Sequence, residues 1–272
     1  MIFFPASNDD ASQFLRQRSK GSLHISGTGQ DRNDAEIISV AKLNSVLFYE
    51  PEEMIISVQT GISLEGLQNT LAAKGQWIPT LVVSESSEQT LGAAIASDHF
   101  HPRSLTCGAL RTTILGGTFC TTTGEIFKSG SRVVKSVAGY DIHRAFCGSK
   151  GLFGIILDLT LKVQPLPEIF YRFFASPKEK ERLAQFHPTC LQEYPGKLLV
   201  EFAGYREDIE NDIDSMKSFE IDIELLDERS WIDALRKLIF LHDEKRENNP
   251  SPEVEKLLQQ VRHVFDPEGV LV

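Results

Sequence analysis

The sequence predicts an α+β protein in two parts: a first domain over residues 1–165 and a shorter α/β-layer domain over residues 166–272. Three observations carry this. After Gly154, apolar residues fall at every second position (Ile155, Leu157, Leu159, Leu161, Val163), with Asp158, Thr160, Lys162 and Gln164 between them, and Pro165 ends the run. A period of two marks a half-buried strand. Upstream, short strand candidates are interleaved with capped helical stretches. The charge then steps at Pro165-Leu166-Pro167. Residues 1–165 hold 15 acids and 14 bases, whereas residues 166–272 hold 23 acids and 14 bases. A composition shift at a proline pair marks a domain boundary.

In chain order, residues 9–20 read as a short helix with Asp9 or Asp10 as cap and Phe14 and Leu15 on its apolar side. Ser22-Leu23-His24-Ile25 is a strand. The loop Ser26-Gly27-Thr28-Gly29-Gln30-Asp31-Arg32-Asn33-Asp34 is too rich in Gly, Asp and Asn for regular structure. It carries half of a dinucleotide fingerprint, but Arg32 holds the third glycine position and no helical pattern follows, so a Rossmann reading is poor. Strand candidates follow at 37–40, 46–49 and 54–59. Ser63 can cap a helix through Lys74, with Leu64, Leu67, Leu71 and Ala72 on one face and Gly75 at its end. Residues 90–96 (TLGAAIA) form a small-residue helix turn, fit either for close approach to a ligand or for packing on a sheet. Residues 112–134 read as strand, tight turn at Thr123-Gly124-Glu125, strand, and a second turn at Ser129-Gly130-Ser131.

Beyond Pro167 the pattern is strand (169–175), helix (177–186), strand (197–203), helix (208–218) and strand (220–226). Helices at about 229–243 and 252–264 complete a small β-α-β-α-β unit with helical additions.

Composition narrows the function. The net charge of -10 argues against nucleic acid as a partner, since phosphate binding needs a basic face. Cys107, Cys120, Cys147 and Cys190 are widely spaced without a C-x-x-C. They fit no zinc site, iron–sulfur cluster or disulfide framework, and are expected to be reduced thiols in the cytoplasm. MIFFPASNDD lacks a basic start, and no apolar run has membrane-spanning length, so direct membrane insertion is not expected. The loop Gly148-Ser149-Lys150-Gly151-Leu152-Phe153-Gly154 leaves backbone amides uncovered just before a rigid strand. It is either a plain turn or a place where a flat or phosphorylated ligand can come close.

Together these segments resemble one family. Met54-Ile55-Ile56-Ser57-Val58-Gln59-Thr60-Gly61-Ile62-Ser63-Leu64, Thr90-Leu91-Gly92-Ala93, Pro102-Arg103 with Gly108, and Val133-Val134-Lys135-Ser136-Val137-Ala138-Gly139-Tyr140-Asp141 occur in its order. Gly148-Ser149 with Gly154-Ile155, and the Phe265-Asp266-Pro267 tail, follow. The set is similar to the FAD-binding domains of the vanillyl-alcohol-oxidase (PCMH) type, and within them to the FAD-binding subunit of bacterial glycolate oxidases. The resemblance implies non-covalent FAD lying extended between two α+β subdomains. It implies diphosphate contacts from the amides of Gly27, Thr28, Gly29, Gln30, Thr90, Leu91, Gly92 and Ala93. Gly154 and Ile155 would meet the adenine end or ribose through backbone groups, with Gly139, Tyr140 and Asp141 as the neighbouring wall. Arg103 and Gly108 are carried over from the family's "G-P-R … Y-G" region. A bulky residue at Gly154 is expected to expel flavin without unfolding the chain.

The sequence departs from the family at Thr28, Ala93, His101, Cys107, Thr112 and Lys150-Gly151-Leu152. His187, His242 and His263 are isolated, so no metal site and no catalytic residue is assigned, and His99 and His101 are not expected to link the cofactor covalently. Two functions remain. One is an FAD-dependent subunit of a 2-hydroxy-acid (glycolate-type) oxidising complex, with iron–sulfur clusters on a partner subunit. The other is a flavin-free homologue serving as a structural or interaction subunit.

Overall fold

The alternating stretch after Gly154 forms the central strand of an antiparallel five-stranded sheet. The structure is a computed structural model that describes residues 1–18, 21–28, 36–81, 89–130, 141–217, 221–246 and 252–271. Its strands are β1 (Ile2–Phe3), β2 (Leu23–Ser26), β3 (Glu36–Ser39), β4 (Val46–Glu50), β5 (Ile55–Gln59), β6 (Gln76–Trp77), β7 (Ile114–Cys120), β8 (Ile126–Gly130), β9 (Ile155–Lys162), β10 (Gln164–Pro165), β11 (Ile169–Ala175), β12 (Cys190–Tyr194), β13 (Lys197–Gly204) and β14 (Ile223–Leu225). Its helices are α1 (Asn8–Gln17), α2 (Leu64–Ala72), α3 (Leu91–Ser97), α4 (Ser104–Cys107), α5 (Leu110–Thr113), α6 (Ile142–Ala145), α7 (Lys180–Ala184), α8 (Arg206–Lys217), α9 (Glu228–Arg246) and α10 (Pro252–Phe265). They divide into two units, one of Met1–His99, Leu110–Gln164 and Asn249–Val272, the other of Phe100–Ala109 and Pro165–Asn248.

The first unit contains a three-stranded and a five-stranded sheet, and β6 pairs with β10. A parallel three-stranded sheet runs β1-β3-β2, and the five-stranded sheet runs β4-β5-β9-β7-β8. Strand β9 is buried on both faces, where the sequence pattern suggested one. Between the pairs Thr118–Asp158 and Phe119–Ile156 the register slips, leaving Leu157 as an extra residue in β9. A bulge of this kind turns the side chains on either side of it to opposite faces. Ile155 and Leu157 therefore join Ala11, Leu15, Leu23 and Ile38, while Leu159 and Leu161 join Leu64, Leu67, Leu71, Leu91 and Ile95. One apolar period of two serves two cores.

Local chemistry fixes the helices. Helix α1 is capped by Ser7, whose hydroxyl accepts the Asp10 amide, while the Asp10 carboxylate accepts the Ala6 amide in return. The cap thus lies two residues before the expected aspartate, and the pair forms a reciprocal capping arrangement. Ser63 caps α2 as its sequence implies. The tail closes the unit: buried Asp266 accepts the amides of Val270 and Leu271, and the Leu23 amide donates to Val270. Phe265 stacks near Phe127 and edge-on to Phe146.

The second unit is a four-stranded antiparallel sheet in the order β12-β13-β11-β14. Strand β12 was not read from the sequence, because its polar residues (Gln192, Glu193) mask the hairpin that Pro195 and Gly196 close. One face packs Phe173, Leu198, Val200 and Phe202 against Leu183, Ile209 and Met216 from α7 and α8. The other packs Cys190 and Leu199 against Trp231, Ala234, Leu235 and Leu238 of α9. The segment Phe100–Ala109 belongs to this unit, and Phe100 stacks on His242 of α9 with ring centroids 3.9 Å apart.

Gly154 takes φ +114°, and a methyl group there would overlap the carbonyl oxygen of Cys120 at the end of β7. This corrects the expectation that a large residue is tolerated at this position. Gly154→Ala is expected to destabilise the first unit by about 1–3 kcal/mol through forbidden backbone geometry, measured as a lower urea midpoint; an unchanged midpoint contradicts this placement.

Candidate functional site

Two of the expected loops meet in the first unit. Gly27, just past β2, lies so close to the N-cap of α3 that a Cβ on it would overlap the Thr90 hydroxyl and touch Ala93 Cβ at 3.4 Å. Only glycine lets the loop reach that far in. Thr28 follows, half-buried. Gly29, Gln30, Gly139 and Tyr140 lie outside the described residues.

Helix α3 is bound from below. The Leu91 amide donates to Ile62 at 2.9 Å, the Gly92 amide to Thr60 at 2.8 Å, and the Ala93 amide to the Thr90 hydroxyl at 3.3 Å. A Cβ on Gly92 would stand 3.1 Å from Thr60 Cβ. Thr60 in turn donates its amide to Leu157 at 3.1 Å and its hydroxyl to Ile156. These three amides serve the fold, so Gly92 contributes close approach. The part of residues 90–93 turned toward Gly27 is the buried Thr90 side chain and the Ala93 methyl.

The glycine-rich loop holds the other end of the same helix. The Gly148 amide donates to Ile95 at 3.0 Å and the Lys150 amide to Ala96 at 2.8 Å. These are last-turn carbonyls that a helix leaves without partners. Asp98 ends α3 in the left-handed conformation and pairs with Arg111 at 2.7 Å. Asp141 begins α6 and pairs with Arg144 at 3.2 Å, both exposed. Ile155 is 1% exposed, so only its backbone is available to a ligand.

Two buried hydroxyls in this unit, Thr80 Oγ1 and Ser149 Oγ, have no hydrogen-bond partner among the described residues. Buried polar atoms of this kind call for a partner beyond the described residues. Sequence reasoning did not single out either of them; Ser149 could have been found from its place between two glycines.

Arg103 and Gly108 belong to the second unit. Arg103 grips Glu201 with Nε on Oε1 and Nη2 on Oε2, both at 2.6 Å, and Arg172 adds Nε on Oε2 at 2.8 Å. The Glu201 side chain is 0% exposed, and its lone charge within the apolar β13 run LLVEF was the sequence signal for a buried ion pair. Gly108 ends α4 at φ +86°. His101 is buried, its Nδ1 accepts the Arg103 amide at 3.0 Å, and its Nε2 has no partner among the described residues. Burial, aided by the Arg103 charge, lowers its pKa from 6.5 to about 3. With Nδ1 occupied, this ring is a neutral N–H donor and no base. In His143 burial lowers the pKa, and its Nδ1 stands 3.1 Å from the Ser129 hydroxyl. Among the described residues no group of three His, Cys, Asp or Glu side chains could hold a metal.

The Gly27 loop and the N-cap of α3 thus meet on a mixed α+β frame. Residues 5–130 match the FAD binding domain family, and in this part the chain is similar to FAD-binding domains. It is 29% identical over 150 residues to glycolate oxidase subunit GlcE of Escherichia coli, covering 55% of this chain and 43% of that one. It is 33% identical over 134 residues to D-lactate dehydrogenase of Anaerostipes hadrus, covering 48% and 27%. With glycolate oxidase subunit GlcD of Bacillus subtilis it shares 27% over 176 residues, covering 61% and 37%. The chain therefore spans less than half the length of these relatives. An alkyldihydroxyacetonephosphate synthase structure superposes with TM-score 0.66 at 17% identity, covering 89% of this chain and 55% of that one, a likeness of fold.

The described part of these loops fits FAD. Gly27 keeps bulk away from Thr90 and Ala93, and the Thr80 and Ser149 hydroxyls have no partner among the described residues.

Two outcomes test the second unit. Glu201→Gln removes the charge shared by Arg103 and Arg172 and is expected to cost about 3–5 kcal/mol, because a buried pair is broken from one side; tryptophan fluorescence during urea unfolding reports it. His101 is neutral in the fold down to about pH 3, whereas the unfolded chain protonates below pH 6.5. The unfolded state then binds more protons, so stability falls as pH drops from 6.5 toward 3, by up to about 1.4 kcal/mol per pH unit from this group. His101→Gln should flatten that part of the pH profile; an identical slope contradicts the assignment.

Proposed function

We propose that this chain is an FAD-dependent oxidoreductase subunit acting on a small 2-hydroxy acid of the glycolate or D-lactate kind. The observation that carries the reading is the seating of Gly27 against Thr90 and Ala93, which joins the two segments expected to flank a dinucleotide's diphosphate. The names of the relatives, glycolate oxidase subunits and a D-lactate dehydrogenase, support the substrate class.

Bound FAD supplies a two-electron acceptor. The chain's own part is binding and exclusion. Gly27 and Thr28 bring backbone up to the diphosphate, with Gly29 and Gln30 continuing the loop and Gly139, Tyr140 and Asp141 as the neighbouring wall. Thr90 and Ser149 offer hydroxyls, and Gly154 keeps the start of β9 free of a side chain. Neither His101 nor the buried thiols is a proton acceptor here: burial raises the thiol pKa of Cys107, Cys120 and Cys190. Electrons leave to a partner subunit in a hetero-oligomeric complex, one that carries iron–sulfur clusters. None of the described helices is long and apolar enough to cross a membrane.

Purified protein should show the visible flavin bands, and anaerobic glycolate or D-lactate should bleach them. Protein that stays colourless after excess FAD overturns the reading and favours the flavin-free alternative. Gly27→Val should weaken FAD binding at least about tenfold, read by flavin fluorescence quenching, since a side chain there displaces the Thr90 hydroxyl.

A further inference from the structure

The second unit carries a charged group that the proposed flavin chemistry does not use. Arg103 takes both oxygens of Glu201, and Arg172 reaches that carboxylate through Nε alone. A guanidinium has five N–H groups in a planar fork, four of them on its two terminal nitrogens. Those terminal nitrogens of Arg172 meet no partner among the described residues and are not sealed from solvent. The side chain is nonetheless only 14% exposed. Its guanidinium lies 4.4 Å from the Phe170 ring centre and 5.2 Å from that of Trp231. The fork is thus held rigid on three sides and open on its outer edge.

We propose that the outer edge of Arg172 is a binding site for a small carboxylate. A carboxylate matches the spacing of two parallel N–H groups and gains charge assistance from both. The half-buried Phe170 ring beside it suits an anion with a carbon end. Glu201, on the other side of the fork, disfavours phosphate, whose second negative charge it repels more strongly. Cys107 and Cys190 lie in the field of that carboxylate, and burial keeps both thiols protonated, so they offer no competing anion. The site rests on the second unit alone and not on the flavin reading.

The test uses the full chain and sodium acetate, against sodium chloride at equal ionic strength. Acetate should raise the melting temperature saturably and change Trp231 fluorescence, where chloride does neither. Arg172→Lys, which keeps the charge but loses the fork, should weaken the acetate response roughly tenfold. Arg172→Gln should abolish it. An acetate effect equal to that of chloride, inorganic phosphate binding tighter than acetate, or an acetate response unchanged in Arg172→Lys would overturn the site. The fluorescence titration of the unmodified chain decides the matter even if the variants fail to fold. None of these readouts involves FAD, so this site and the flavin reading fail separately.

Discussion

The first unit hangs on one strand, Ile155–Lys162, and on the way its two ends are fixed. At its start Gly154 lies against the Cys120 carbonyl so closely that no side chain fits. Within it, the extra residue Leu157 turns the apolar series from one core to the other. The carbonyls beside that bulge accept from Thr60, and the Thr60 carbonyl accepts from Gly92. A chain of hydrogen bonds thus runs from the middle of the sheet to the first turn of α3. The same helix is held at its far end by Gly148 and Lys150. The position of the cofactor loops is therefore set by the sheet, with little left to the loops themselves.

This arrangement gives the glycines distinct duties. Gly27 and Gly92 permit contact between segments, Gly154 permits a strand to begin against a neighbouring carbonyl, and Gly148 offers an amide to a helix end. A motif that reads in sequence as one phosphate cradle is in space partly a clamp on α3. The amides of Leu91, Gly92 and Ala93 are spent inside the protein. The hydroxyls of Thr80 and Ser149 are left without a partner among the described residues.

The second unit is organised around a buried carboxylate. Glu201 stands opposite Arg172 in the antiparallel register and receives Arg103 from a segment that arrives from far upstream. Such a pair contributes little net stability over an apolar core, but it is costly to break from one side. It fixes which residues of Phe100–Ala109 face the sheet, and it leaves the outer donors of Arg172 without a partner among the described residues. Arg103, expected beside the flavin from its motif, has its guanidinium fork closed on Glu201.

Much of the fold was legible in the residues. The strands at 169–175 and 197–203 follow from short apolar runs, and the Ser63 cap from a hydroxyl that can accept an amide. Glu201 was not singled out, although one charge in an apolar run could have found it. Other features had no local signature. The short polar strand β12 takes its order from its neighbour β13, and the Ser7 cap competes with two equally suitable aspartates. The bulge at Leu157 is invisible because an uninterrupted period of two is the same string whether or not its partner strand slips by a residue. The sequence by itself determined the element types and the ordered set of flavin-domain motifs, since these depend on neighbouring residues. Only the tertiary structure decided which amides are already used, which hydroxyls are left without partners among the described residues and where Arg103 points. Those outcomes depend on residues far apart in the chain meeting at hydrogen-bond distance.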